Sequence, residues 1–192
     1  TAGIIGYGSI GSYLAAILTS LGLVVVVHDP HTTVADPGIH QVGLDELLRR
    51  SDYVLPLAPA TPETTDLIGP AELAAMKPGA YLVNVSRGEL VNETAVAAAL
   101  DSGRLGGLAM DVGRAPDQRP SLGLASRPGV VATPHLGGLT PQNADAQAAS
   151  SVEQVRAIAA GRLPPRSVNP DAASRLHDFW TPDRTDPRRS SP

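Results

Sequence analysis

Apolar residues along this chain come in short dense runs, separated by stretches with helical spacing. The runs lie at Ala2–Ile5, Leu23–His28, Tyr53–Leu57, Ala80–Val85, Gly107–Met110 and Gly129–Ala132. They lack polar alternation, which predicts parallel strands buried on both faces. Between them, Ile10–Leu21 places Leu14, Ile17, Leu18 and Leu21 on one helical face. Leu44–Arg50 predicts a short helix, and Pro70–Met76 a helix with proline in its first turn. Asn92 caps a predicted helix over Glu93–Leu100, with Gly103 just past its end. The longest helix starts at Thr140–Pro141, runs through Val152, Val155 and Ile158, and stops at Gly161 ahead of Pro164–Pro165. Strands alternating with helices of this length predict βαβ units. The expected fold is α/β, a Rossmann-type doubly wound parallel sheet in three α/β/α layers.

Composition mainly excludes. The 192 residues suffice for one well-filled domain. There are no cysteines, which removes disulfides, thiolate catalysis and cysteine metal sites. The net charge is −4 with no cluster of Lys or Arg, so nucleic acid is not an expected partner. No apolar run is long enough to span a bilayer and no signal peptide is evident, so the default location is cytoplasmic. The histidines, His28, His31, His40, His135 and His177, show no ligand spacing, and no metal site is expected. After Asn169 the pattern fades, and residues 181–192, TPDRTDPRRSSP, are expected to form a disordered tail.

The first chemically informative stretch is GYGSIG, with Gly6, Gly8 and Gly11 directly after a strand and opening a helix. Gly6 allows the tight turn, Gly8 lets backbone approach a pyrophosphate, and Gly11 lets helix pack near strand. Free N–H groups at the helix start favour an anion. Asp29 ends the next strand, where a carboxylate accepts the ribose hydroxyls and repels a 2′-phosphate, so NAD is expected rather than NADP. Three further residues follow strands, where ligands of doubly wound sheets bind: Arg87 with Ser86 in NVSRGELVN, Asp111 in AMDV, and His135 in VATPHLGG. Arginine grips a carboxylate bidentately and histidine exchanges protons near neutral pH. Taken alone, Arg87 is also compatible with a solvated surface role, and His135 is more often structural than catalytic.

Five stretches in order, GIIGYGSIG, PATPETTDLI, MKPGAYLVNVSRGELVNETAVAAAL, GLAMDV and VATPHLGGLTPQ, resemble the D-isomer-specific 2-hydroxyacid dehydrogenases. The resemblance covers roughly residues 1–165. It implies hydride transfer between NAD(H) and the C2 carbon of a small 2-hydroxy or 2-oxo acid, of the phosphoglycerate dehydrogenase or hydroxypyruvate/glyoxylate reductase type. By resemblance, Arg87 binds the substrate carboxylate, His135 is the acid/base, Asp111 holds the nicotinamide carboxamide, Ser86 lies beside the nicotinamide and Pro59 belongs to the cofactor pocket. Tyr7, Ser9, Ile10, Pro30, Thr64, Val85 and Gly137 are counted with the same cofactor site. The family also implies a homodimer formed through this domain.

One departure stands out. Family members carry a glutamate after the AMD strand that hydrogen-bonds the catalytic histidine and favours its charged form. Here the stretch is DVGRAPDQRPS and that position is Pro116. Asp117 is the preferred replacement partner of His135, with Gln118 as a further candidate. The resemblance further implies a preceding substrate-binding domain to which the chain returns. Residues 166–180, with Phe179 and Trp180, read as that returning segment, and residues 1–165 as the NAD-binding domain. The chain thus reads as a truncated gene product or an excised domain. It is expected to be an enzyme of this family, poorly active by itself. The alternative is an NAD-binding module that catalyses little.

Overall fold

The apolar runs become strands of one parallel sheet, joined by a strand that the hydrophobic pattern does not announce. The computed structural model describes residues 1–165, 167, 170–172 and 180. It divides into two compact units, Thr1–Gly137 and Gly138–Pro192. In the first, β1 (Ala2–Ile5), β2 (Val25–His28), β3 (Ile39–Gln41), β4 (Tyr53–Pro56), β5 (Ala80–Asn84), β6 (Leu105–Met110) and β7 (Val130–Ala132) pair in parallel, in the order β3-β2-β1-β4-β5-β6-β7. This is the expected Rossmann-type sheet. The direction of winding reverses between β1 and β4, which places a topological switch point at the carboxyl end of β1.

Helices α1 (Ser9–Ser20), α2 (Leu44–Arg50), α3 (Pro70–Ala75), α4 (Glu93–Asp101) and α5 (Leu122–Ala125) complete this unit. Strand alternation sorts the apolar side chains between two layers. Ile4, Val25 and Val27 pack with Ala15 of α1 on one face. Ile5, Val26, Val54, Leu82, Leu108 and Met110 form the larger core on the other face, together with Leu47, Leu73 and Val96 of α2, α3 and α4. The first layer is smaller than the sequence pattern suggests. α1 buries Gly11 and Ala15, whereas Ile17 and Leu21 of its predicted apolar face stay exposed. α1 packs mainly on β1 and β2, and Tyr53, Tyr81 and Val131 on the same side of β4, β5 and β7 remain accessible. Tyr53 and Tyr81, paired across β4 and β5, stack with ring centroids 5.5 Å apart.

The pairing of β5 with β6 is not uniform. Ala80 opposes Leu105 but Tyr81 opposes Gly107, leaving Gly106 as an extra residue in β6. A Cβ at Gly106 would collide with the Gly79 carbonyl oxygen.

In the second unit α6 (Pro141–Ala159) starts at Thr140, whose hydroxyl accepts the Asn143 N–H at 3.1 Å. Val152 and Val155 are exposed on it. The expected returning segment lies largely outside the described residues, as do Phe179 and residues 181–192. Trp180 is described, and its indole N–H donates to the Ile158 carbonyl at 2.8 Å.

Candidate active site

The carboxyl edge of the sheet gathers the sequence-predicted residues along one rim. At β1, Gly6 has φ +104° and its backbone abuts Ala58, so that an added Cβ would lie 2.9 Å from the Ala58 nitrogen. A Cβ on Gly11 would strike the Gly6 carbonyl oxygen, so α1 starts hard against the turn. Gly8 faces open space. The start of α1 has no side-chain cap and no acidic residue, which leaves its first N–H groups available to an anion. Ser9 and the 69% exposed Ile10 lie at this opening.

At β2, Asp29 is built in from three sides. One oxygen accepts the Tyr7 N–H at 2.7 Å, and the other accepts those of His31 and Thr32 at 2.8 and 3.0 Å. Burial works against ionisation here, but these three N–H groups and the nearby His31 outweigh it and hold the carboxyl below the usual range. The Gln41 amide, which the sequence reading did not single out, ties the same loop by donating to the carbonyls of Asp29 and Thr32 at 2.9 and 2.7 Å. Tyr7 closes the loop from the other side, its hydroxyl donating to Asp36 at 2.7 Å. Burial and that carboxylate push the Tyr7 phenol up to about 12. Pro30 follows Asp29 and is exposed.

At β4, the Thr64 hydroxyl donates to the Pro59 carbonyl at 2.7 Å, which fixes that loop. At β5, Val85 is exposed, and the Ser86 hydroxyl reaches back to the Ala58 carbonyl at 3.3 Å. Arg87 is exposed, with one guanidinium nitrogen donating to the Ser86 carbonyl at 2.7 Å. Asn84, which the sequence reading also missed, is buried beneath this turn. A lone amide ending the apolar run AYLVN is the signal that could have found it.

At β6 and β7 the geometry centres on Asp111. Its carboxylate accepts the Thr133 hydroxyl at 2.5 Å and the Leu136 and Gly137 N–H groups at 2.8 Å each. These bonds bracket His135, whose backbone takes φ +60° and whose N–H donates to the Thr133 carbonyl at 3.0 Å. Burial opposes ionisation of Asp111. Its three donors and the neighbouring His135 outweigh burial and hold the carboxyl below the usual range. The Asp111 N–H in turn donates to the Asn84 carbonyl at 3.1 Å, which links the two loops.

Asp117 is not brought to His135. Its carboxylate accepts the Arg119 N–H at 3.2 Å and pairs with the Arg119 guanidinium at 3.5 Å. Gln118 takes φ +60°, and its carbonyl accepts the Gly113 N–H at 2.9 Å. Among the described residues no side chain hydrogen-bonds the His135 imidazole. Arg114 donates to the carbonyls of Gly88, Glu89 and Val91 and pairs with Asp66. No group of His, Asp or Glu among the described residues has a metal-binding arrangement.

The open Gly8, the uncapped α1 start and the anchored Asp29 fit a dinucleotide, and they define a NAD-binding Rossmann domain. The sequence pattern of the family described as D-isomer specific 2-hydroxyacid dehydrogenase, NAD binding domain, matches residues 1–137, and the chain belongs to that family. It is 38% identical over 174 residues to D-3-phosphoglycerate dehydrogenase from Mycobacterium leprae, covering 89% of this chain and 33% of the relative. It is 39% identical over 171 residues to D-3-phosphoglycerate dehydrogenase 1 from Saccharomyces cerevisiae, covering 82% and 36%. The chain thus spans about a third of the length of these relatives. Among solved structures it resembles the NAD-complexed D-isomer specific 2-hydroxyacid dehydrogenase of Lactobacillus delbrueckii ssp. bulgaricus, with TM-score 0.78 and 30% identity, over 85% of this chain and 54% of that one. Rhodotorula graminis D-mandelate dehydrogenase gives TM-score 0.79 at 32% identity, over 85% and 49%.

Proposed function

We propose that this chain is the cofactor-binding part of a NAD-dependent oxidoreductase acting on a small 2-hydroxy or 2-oxo acid, of the phosphoglycerate dehydrogenase or hydroxypyruvate/glyoxylate reductase type. The observation that carries the reading is the pairing of Arg87 and His135 on loops joined through Asn84 and Asp111. When bound, the dinucleotide supplies or accepts the hydride. Gly6, Gly8 and Gly11 make room for its pyrophosphate, and Asp29 receives the ribose hydroxyls. Arg87 holds the substrate carboxylate as a bidentate fork. His135 gives a proton to the carbonyl oxygen in reduction and takes it from the hydroxyl in oxidation. Asp111 fixes the loop that presents His135.

The proposal keeps residues 1–165 as the cofactor domain, a homodimer formed through it, and a cytoplasmic location. Among the described residues no helix is long and apolar enough to cross a membrane. The His135 imidazole, to which no carboxylate among the described residues hydrogen-bonds, favours one second reading: a domain that binds NAD and turns over little by itself.

Calorimetric titration with NADH and NADPH tests the cofactor site. Saturable binding that prefers NADH supports it, and equal or absent binding of the two sinks it. Turnover of glyoxylate or hydroxypyruvate, compared between the chain and its Arg87→Ala and His135→Ala variants, separates the two readings.

A further inference from the structure

Among the described residues the buried polar side chains are Ser51, Asn84 and Asp111. Ser51 donates to the Leu47 carbonyl one helical turn back, which serves α2 alone. Asn84 is 2% exposed and lines a small internal cavity with Leu108, Met110, Val112, Leu124 and the Glu93 carboxylate. An amide in such surroundings costs stability unless both its ends are satisfied. Neither end serves the core. The Asn84 amide nitrogen donates to the Arg87 carbonyl at 2.8 Å, and the amide oxygen accepts the Ser86 N–H at 3.2 Å.

These two bonds fix the Ser86–Arg87 segment from below. The Ser86 carbonyl is also the acceptor that the Arg87 guanidinium uses. That carbonyl belongs to the Ser86–Arg87 peptide, which lies between the two peptide groups that Asn84 holds, so fixing both flanks sets the direction of the charged group. The turn has little freedom elsewhere, because a Cβ on Gly88 would run into the Gly113 backbone and the Ser86 hydroxyl is tied to Ala58. We propose that Asn84 is the positioning residue for Arg87, aiming its guanidinium at the substrate carboxylate through the Ser86–Arg87 peptide. This rests on the proposed function, in which Arg87 holds that carboxylate.

The test uses the whole 192-residue chain. Asn84→Leu keeps the branched shape of the side chain and removes both bonds. Asn84→Asp keeps the acceptor for the Ser86 N–H and, when ionised, loses the donor to Arg87. Folding of each is checked by circular dichroism, and should Asn84→Leu not fold, Asn84→Asp carries the test. Two readouts are taken. NMR follows the Ser86 amide exchange rate and the heteronuclear NOE of the Arg87 Nε–Hε pair. Calorimetry follows NADH binding, and then binding of oxamate, an unreactive 2-oxo-acid mimic, to the NADH-loaded chain.

Asn84→Leu is expected to speed Ser86 exchange about tenfold or more, since a buried hydrogen bond is lost. It is expected to lower the Arg87 NOE and to weaken oxamate about tenfold, while NADH affinity changes less than about threefold. Asn84→Asp is expected to keep slow Ser86 exchange yet loosen Arg87. An unchanged Arg87 NOE in a folded variant overturns the proposal, as does an equal loss of NADH and oxamate binding. If Arg87 loosens but even the wild-type chain ignores oxamate, the positioning role stands and the proposed substrate site fails.

Discussion

The Asp111 carboxylate holds the loop of His135 on both sides, taking the Thr133 hydroxyl before it and the Leu136 and Gly137 N–H groups after it. A buried anion with three donors is a strong anchor, and removing it leaves those donors unpaired. Asp111→Ala is expected to cost about 3 kcal/mol of stability, and Thr133→Val about 2 kcal/mol. Urea unfolding measures both. A loss of under about 0.5 kcal/mol for Asp111→Ala would show that the anchor is dispensable.

Acid should weaken the fold through the same group. Asp29 and Asp111 are both held below the usual carboxylate range. The unfolded chain therefore takes up protons first as pH falls. The stability they contribute is complete above about pH 5, and it is lost as pH drops through their folded values, below about 3.9. Asp29→Asn and Asp111→Asn should each be less stable at neutral pH and show a shallower fall between about pH 5 and pH 3. Urea midpoints across that range check the slope, and a slope matching wild type would contradict the assignment.

The glycine turn predicts a sharp steric effect. The Cβ of Gly11→Ala meets the Gly6 carbonyl oxygen, so the turn or the helix start must move. We expect a loss of about 2 kcal/mol in stability and about tenfold or more in NADH affinity. Gly8→Ala meets no atom of the protein, so its stability should be unchanged while NADH binding still weakens. Thermal melts and calorimetry of the two variants separate packing from cofactor approach.

Tyr7 offers a spectroscopic check on the loop that carries Asp36. Its phenol is pushed up to about 12 by burial and by Asp36. Tyr7→Phe should remove an ionisation step near that pH from the phenolate absorbance titration and cost about 1 kcal/mol of stability. Asp36→Asn should shift the step downward. No change in the Asp36→Asn titration would place the cause elsewhere.

Much of this was legible in the sequence because local and long-range signals agree. The strands are dense in branched apolar residues, and Gly6 and Gly11 of GYGSIG each meet a distinct steric demand at β1, while Gly8 faces open space. β3 was not legible: Ile39–Gln41 is short, only Ile39 of it packs inward, and β2 rather than its own sequence specifies it. The apolar face assigned to α1 was too wide, because periodicity reports which side chains share a face and not how much sheet lies under them. The Asp117 expectation rested on loop register. A run of glycine and prolines leaves register undetermined, and the Arg119 partner that captures Asp117 is itself local. Asn84 was missed because a single polar residue at a strand end resembles the start of a turn. Its burial emerges only once β6 lies beside β5, with Met110 opposite Asn84.

The extra residue in β6 acts as a phase shifter for the site. Side chains alternate along a strand, so one residue more or less exchanges the two faces for everything downstream. With Gly106 bulged out, Tyr81 meets Gly107, Asn84 meets Met110, and Asp111 arrives where it can reach Thr133 and Gly137. Deleting Gly106 would turn Asp111 toward the opposite layer while barely altering the length of the chain. The address of the His135 loop is thus written roughly 17 Å upstream of Asp111, at about 3.3 Å per residue, in a glycine outside the site.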